Sequence, residues 1–74
     1  MSTTRYYAAI LDGEIESADI RTSRAAAERD ARWLRRHPAC LDRRAFGLGG
    51  SVRVVQVAES EWTGKWVVIT GEQS

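Results

Sequence analysis

Apolar and polar positions along the chain fall into five runs. Thr4–Leu11 (TRYYAAIL) is rich in Tyr, Ile and Ala and is followed at once by Asp12-Gly13. Asp-Gly between β-compatible runs is a hairpin signal, because both central residues of a type I′ turn need positive φ. A two-residue loop would set Leu11 opposite Glu14, Ile10 opposite Ile15, Ala8 opposite Ser17 and Tyr6 opposite Asp19. The face carrying Tyr6, Ala8, Ile10, Ile15 and Ser17 holds the fewer charges, so it is the expected core face.

Thr22-Ser23 then offers a helix N-cap hydroxyl, and Arg24–Arg36 contains no Gly, Pro or β-branched residue. At 100° per residue Ala27, Ala31 and Leu34 form one stripe, with Ala26 and Trp33 at its edge and Trp33 expected in the core. Arg29, Arg32 and Arg36 project from the other side, and Glu28 is placed to pair with Arg32 at i, i+4. Pro38 disfavours helical backbone at His37, so the helix should stop or kink there. Pro38–Phe46 allows a short second helical turn, and Gly47-Leu48-Gly49-Gly50 reads as a flexible connector.

Ser51–Ala58 (SVRVVQVA) and Lys65–Thr70 (KWVVIT) are β-rich, with Thr63-Gly64 turning between them. Both are apolar on both pleat faces. One helix covers one face of a sheet, so the other must meet Pro38–Leu48, another subunit or a partner. The expectation is an α+β single small domain: a four-stranded antiparallel sheet in ββαββ order with one main helix packed on it. Its segments are hairpin 4–20, helix 23–37, connector 38–50 and hairpin 51–70.

Composition changes this picture little. Seventy-four residues, 43% hydrophobic and 28% charged, are ordinary for a small folded chain. No apolar run approaches the ~20 residues needed to cross a bilayer. The N-terminal residues lack a signal-peptide pattern and Cys40 stands alone, so a cytoplasmic location is expected, host-cell cytoplasm if the protein is phage-encoded. Charge is more informative. Ten of the eleven basic residues are Arg, and eight of those lie between Arg21 and Arg44 against only Glu28, Asp30 and Asp42. Clustered guanidinium forks suit an anionic partner.

Catalysis has little to stand on, and the expectation is a non-enzyme without metal or other cofactor. His37 and Cys40 are the only residues of their types. A nucleophilic pair also needs a group to orient the base, and a zinc site needs about four ligands. Phe46–Ser51 is not a phosphate loop, since the terminal Lys-Ser/Thr and the following helix are missing. Three surfaces are candidates for binding. The basic one carries Arg29, Arg32, Arg36, Arg43 and Arg44 and suits a phosphate track. The acidic one carries Asp12, Glu14 and Glu16, joined by Glu59 and Glu61, and suits a basic groove on a protein; the same charges also protect an edge strand. Trp62 and Trp66 flank the second turn as aromatic anchors.

The order and texture resemble the small phage-encoded anti-CRISPR proteins, in particular type I inhibitors with a short helix on a bent antiparallel sheet. The resemblance rests on the first strand Tyr6–Leu11, the helix opened by Thr22-Ser23 with Ala27 and Ala31 inward, the strand Val52–Val57, and the last hairpin with Trp62 and Trp66. It implies a non-catalytic inhibitor that binds an effector subunit of a Cascade-type CRISPR-Cas surveillance complex and blocks DNA recognition. It carries no residue role over. The alternatives are direct nucleic-acid binding through the Arg-rich helix and a homodimeric structural module using the spare apolar sheet face.

Overall fold

A computed structural model describes residues 4–70. The order is β1 (Tyr6–Leu11), α1 (Arg24–Arg35), α2 (Pro38–Ala45), β2 (Val52–Glu59) and β3 (Trp66–Thr70). The protein is α+β, with an antiparallel sheet ordered β1-β2-β3. Among the described residues the sheet has three strands, and the order is βααββ where ββαββ was expected.

The Asp12-Gly13 turn forms as its residues dictate, with φ of 53° and 78°, and Leu11 faces Glu14. The expected second strand does not follow. The chain returns to β1 only where Arg21 bridges Tyr7, so Ile15–Ile20 must answer just Ala8–Ile10. Six residues against three cannot keep register, and Glu16, Ser17 and Asp19 have weak β preference. The segment bows out and lays Ile15, Ala18 and Ile20 on the sheet beside Tyr6, Ala8, Ile10, Val55, Val57 and Trp66.

α1 packs on the opposite face, where Ala31 of the expected stripe meets Ala9, Cys40 and Val52, with Leu11, Leu34 and Val54 around them. Small side chains on both sides let helix and strand approach closely. Ala8, Ala9 and Ile10 are therefore buried in succession, and the expectation of one core face and one solvent face for β1 is corrected to two buried faces. Ser23 caps α1, its hydroxyl accepting from Ala26 N–H at 3.4 Å. At Pro38 the helix ends and a new one starts. His37 adopts extended backbone, its Nδ1 accepts from Ala39 N–H at 3.2 Å, and Pro38 opens α2. What was expected to be a connector over 38–50 is thus mostly helix, and α2 buries Cys40.

β2 is the central strand, pairing Tyr6 with Val57 through Leu11 with Val52 on one side. On the other, Val57 faces Val68 while Gln56 faces Thr70, so Ile69 is an extra residue on β3, a bulge in an edge strand.

Candidate binding surfaces

The acidic and basic sets expected to lie apart are joined. Arg43 Nη1 donates to Asp12 at 2.8 Å and to Glu14 at 3.1 Å, tying the first turn to α2. The Asp12 carboxylate also accepts from the backbone N–H groups of Gly50, at 3.0 and 3.1 Å, and Ser51, at 2.9 Å. The glycine stretch is therefore no flexible connector. It is a nest of backbone donors, and its anion is the protein's own Asp12. Gly49 and Gly50 have φ of 131° and 92°, and a Cβ on Gly50 would lie 2.5 Å from Arg44 Cγ and 2.9 Å from Cys40 O. The Arg43 hydrogen bond, then the Ser51 and Gly50 donors, hold the Asp12 pKa at about 2, against the ordinary 3.8. The same carboxylates raise the pKa of Arg43.

Other guanidinium groups are also committed. Arg21 meets Asp30 at 2.6 Å and Asp19 at 3.6 Å, and the Asp30 hydrogen bond and charge raise its pKa. Glu28 pairs with Arg24 at 3.4 Å, where Arg32 was expected. Arg44 Nε donates to Gly50 O at 3.1 Å. Asp12, Glu14, Arg43 and Arg44 thus hold the fold together, and the expected acidic and basic patches each lose members. Arg29, Arg32 and Arg36 stay exposed along α1, and among the described residues no carboxylate lies within ion-pair reach of them. Glu16, Glu59 and Glu61 are exposed; Glu16 shares a groove with Thr63, Gly64 and Lys65.

The tryptophans sort differently from the expectation. Trp66 is half-buried and meets Tyr6 edge-on, ring centres 5.0 Å apart, so it belongs to the core. Trp62, in the β2–β3 turn, is 94% exposed. Trp33 is 63% exposed rather than in the core, with its ring 4.9 Å from His37. Phe46 and Leu48 are exposed beyond α2.

One concavity had no signal in the sequence. A groove of about 380 Å³ lies between α1, α2 and the bowed segment, with Leu11 and Leu34, Trp33 and His37, and Asp19 and Asp30 among its walls. It exists because Ile15–Ile20 leaves the sheet edge. The Cys40 thiol is buried and donates to Gly50 O at 3.4 Å, and His37 Nδ1 is engaged as the α2 cap. Among the described residues no group of three His, Cys, Asp or Glu is placed to hold a metal ion, and no helix is long and apolar enough to cross a membrane.

Compared with family models, curated proteins and solved structures, the chain has no match. The side chains themselves therefore carry the functional reading.

Proposed function

We propose that the protein is a non-catalytic binding module that acts by covering a surface of a larger protein, its target being an effector subunit of a CRISPR-Cas surveillance complex, with loss of DNA recognition as the consequence. The observation that carries this reading is Trp62, 94% exposed at a turn and flanked by the exposed Glu59 and Glu61. A tryptophan held out of the core of so small a protein leaves a large apolar ring in water, and such residues anchor protein interfaces. Phe46, Leu48 and Trp33 extend the exposed apolar inventory. Its place of action is inside the cell, where the Cys40 thiol stays reduced. Adding the protein to purified type I complexes and following target-DNA binding tests the reading. Blocked DNA binding is expected for at least one subtype; unaltered binding in all would overturn it.

A second reading, direct contact with nucleic acid, is favoured by the exposed stripe Arg29, Arg32 and Arg36. Three neutralised phosphates would give duplex affinity a slope of about −2.7 in log K against log salt. A mobility shift with that slope supports it, and no shift at low salt removes it.

A further inference from the structure

The sheet closes one of its edges and leaves the other open. At β1, Tyr7 exchanges both backbone hydrogen bonds with Arg21, at 2.7 and 2.8 Å, and the Leu11 carbonyl accepts from Glu14 N–H at 3.0 Å. β3 is the other edge. Because Tyr7 directs its groups away from β2, its partner Gln56 and, by alternation, Ala58 point theirs to β3. Val67, opposite Ala58, answers them, and the Lys65 carbonyl accepts from Ser60 N–H at 2.7 Å. Trp66 and Val68 therefore turn N–H and C=O outward, and Val68 lies opposite Val57, whose own groups point to β1. Among the described residues these outward groups have no hydrogen-bond partner. The edge also lacks the usual protection. Trp66–Thr70 holds no charge and no proline, and Val67 and Val68 are 42% and 40% exposed. The bulge at Ile69 ends regular pairing there and leaves Lys65–Val68 regular. Among the described residues no helix packs substantially on β3, so a strand can reach it.

We infer that β3 pairs with β3 of a second copy of this chain, antiparallel about a two-fold axis at Val67, joining two sheets into one of six strands. Three properties select a second copy. The outward groups of Trp66 and Val68 complement themselves under such an axis. Trp66 meets Val68 of the other copy and Val68 meets its Trp66, so every outward N–H of the two residues finds an outward C=O. An uncharged strand sets no like charges opposite each other, and the Lys65 positions fall about 13 Å apart along the strands, beyond the ~8 Å screening length at physiological salt. Finally, the joined sheet ends in two β1 edges, each closed at Tyr7 and Leu11, so growth stops at two copies. So short an edge buries less than an obligate interface, and the dimer is a weak one that forms with concentration. The inference goes beyond the protein-binding reading above and does not rest on it.

The test is sedimentation of the full chain across a concentration series, with amide spectra of the same samples. A reversible dimer is expected, and the Trp66 and Val68 amides should shift as it forms. In a mixture of carbon-13-labelled and unlabelled copies, the Val67 Hα atoms of the two copies should show a mutual contact, since the axis sets that pair at the close, non-hydrogen-bonded position. Val67→Lys, at an exposed position, should weaken dimerisation about 10-fold or more, and Val67→Glu should do the same, each keeping a folded spectrum. Mixing the two variants should restore association as a heterodimer, because opposite charges then face each other across the axis. A monomer at every concentration, shifts confined to residues outside 65–69, dimers indifferent to both substitutions, or no association in the mixture would each overturn the inference. So would Trp66 and Val68 amides that respond only to an added surveillance complex, which would give the edge to a foreign strand.

Discussion

Asp12 is the residue on which most of the molecule converges. It turns the chain, accepts two backbone N–H groups from Gly50 and Ser51, and receives the Arg43 guanidinium. Its folded pKa of about 2 lies below the 3.8 of a free aspartate, so its contribution to stability is present above pH 3.8 and is lost as pH falls toward 2. In urea titrations the midpoint should fall across that window. Asp12→Asn should lower the midpoint at neutral pH, since an amide that keeps its oxygen on the Gly50 and Ser51 N–H groups turns its own N–H toward the Arg43 guanidinium, and should flatten the acid fall. A variant with an unchanged acid limb would show that the carboxylate does not hold the nest. Gly50→Ala probes the same junction from the other side. Positive φ and a Cβ 2.9 Å from the Cys40 carbonyl oxygen should together cost at least about 1–2 kcal/mol by denaturant midpoint. Neutral behaviour would place Gly50 elsewhere.

At the scale of elements, local chemistry made part of the fold legible. Asp12-Gly13 announces its turn through φ, Ser23 its helix start through an orphan N–H, and Pro38 its helix break through a missing donor and a clash. The Ala27 and Ala31 stripe and the two Val-rich strands follow from periodicity. Removing the Ser23 cap with Ser23→Ala should cost about 0.5–1 kcal/mol, toward the low end for caps because its bond is 3.4 Å long. The segment after the first turn was illegible for a physical reason. Alternation in Glu14–Ile20 fits a strand, but whether it pairs depends on register with β1 and on the apolar face that Ile15, Ala18 and Ile20 find underneath. Hydrogen exchange separates the two outcomes. Glu16, Ser17 and Asp19 amides should exchange much faster than those of Ala8 and Ile10, whose N–H groups face β2. Protection of Ser17 equal to that of Ala8 would mean the hairpin forms after all.

For the whole molecule, charge separated along the sequence is largely rejoined by folding. The contact between Asp12 and Arg43 joins positions 31 residues apart, and that between Arg21 and Asp30 crosses from loop to helix. A sequence shows which charges exist but not which ones three-dimensional packing consumes, so Arg43, Arg44, Asp12 and Glu14 read as surface while serving the fold. The same limit hid Trp33, whose place at the stripe's edge is decided by how α1 rolls on β1. What remains outside is an apolar set led by Trp62 and a short Arg stripe on α1. The account's central claim is that the apolar set, not the stripe, makes the decisive contact. The measurement that tests it most directly compares inhibition of target-DNA binding by the unsubstituted protein, Trp62→Ala, and the double variant Arg29→Glu with Arg36→Glu, each checked for an unaltered thermal midpoint. Trp62→Ala is predicted to lose about 30-fold in potency, as an interface anchor does, while the double variant keeps most of it. Full potency of Trp62→Ala alongside a silent double variant would contradict the account.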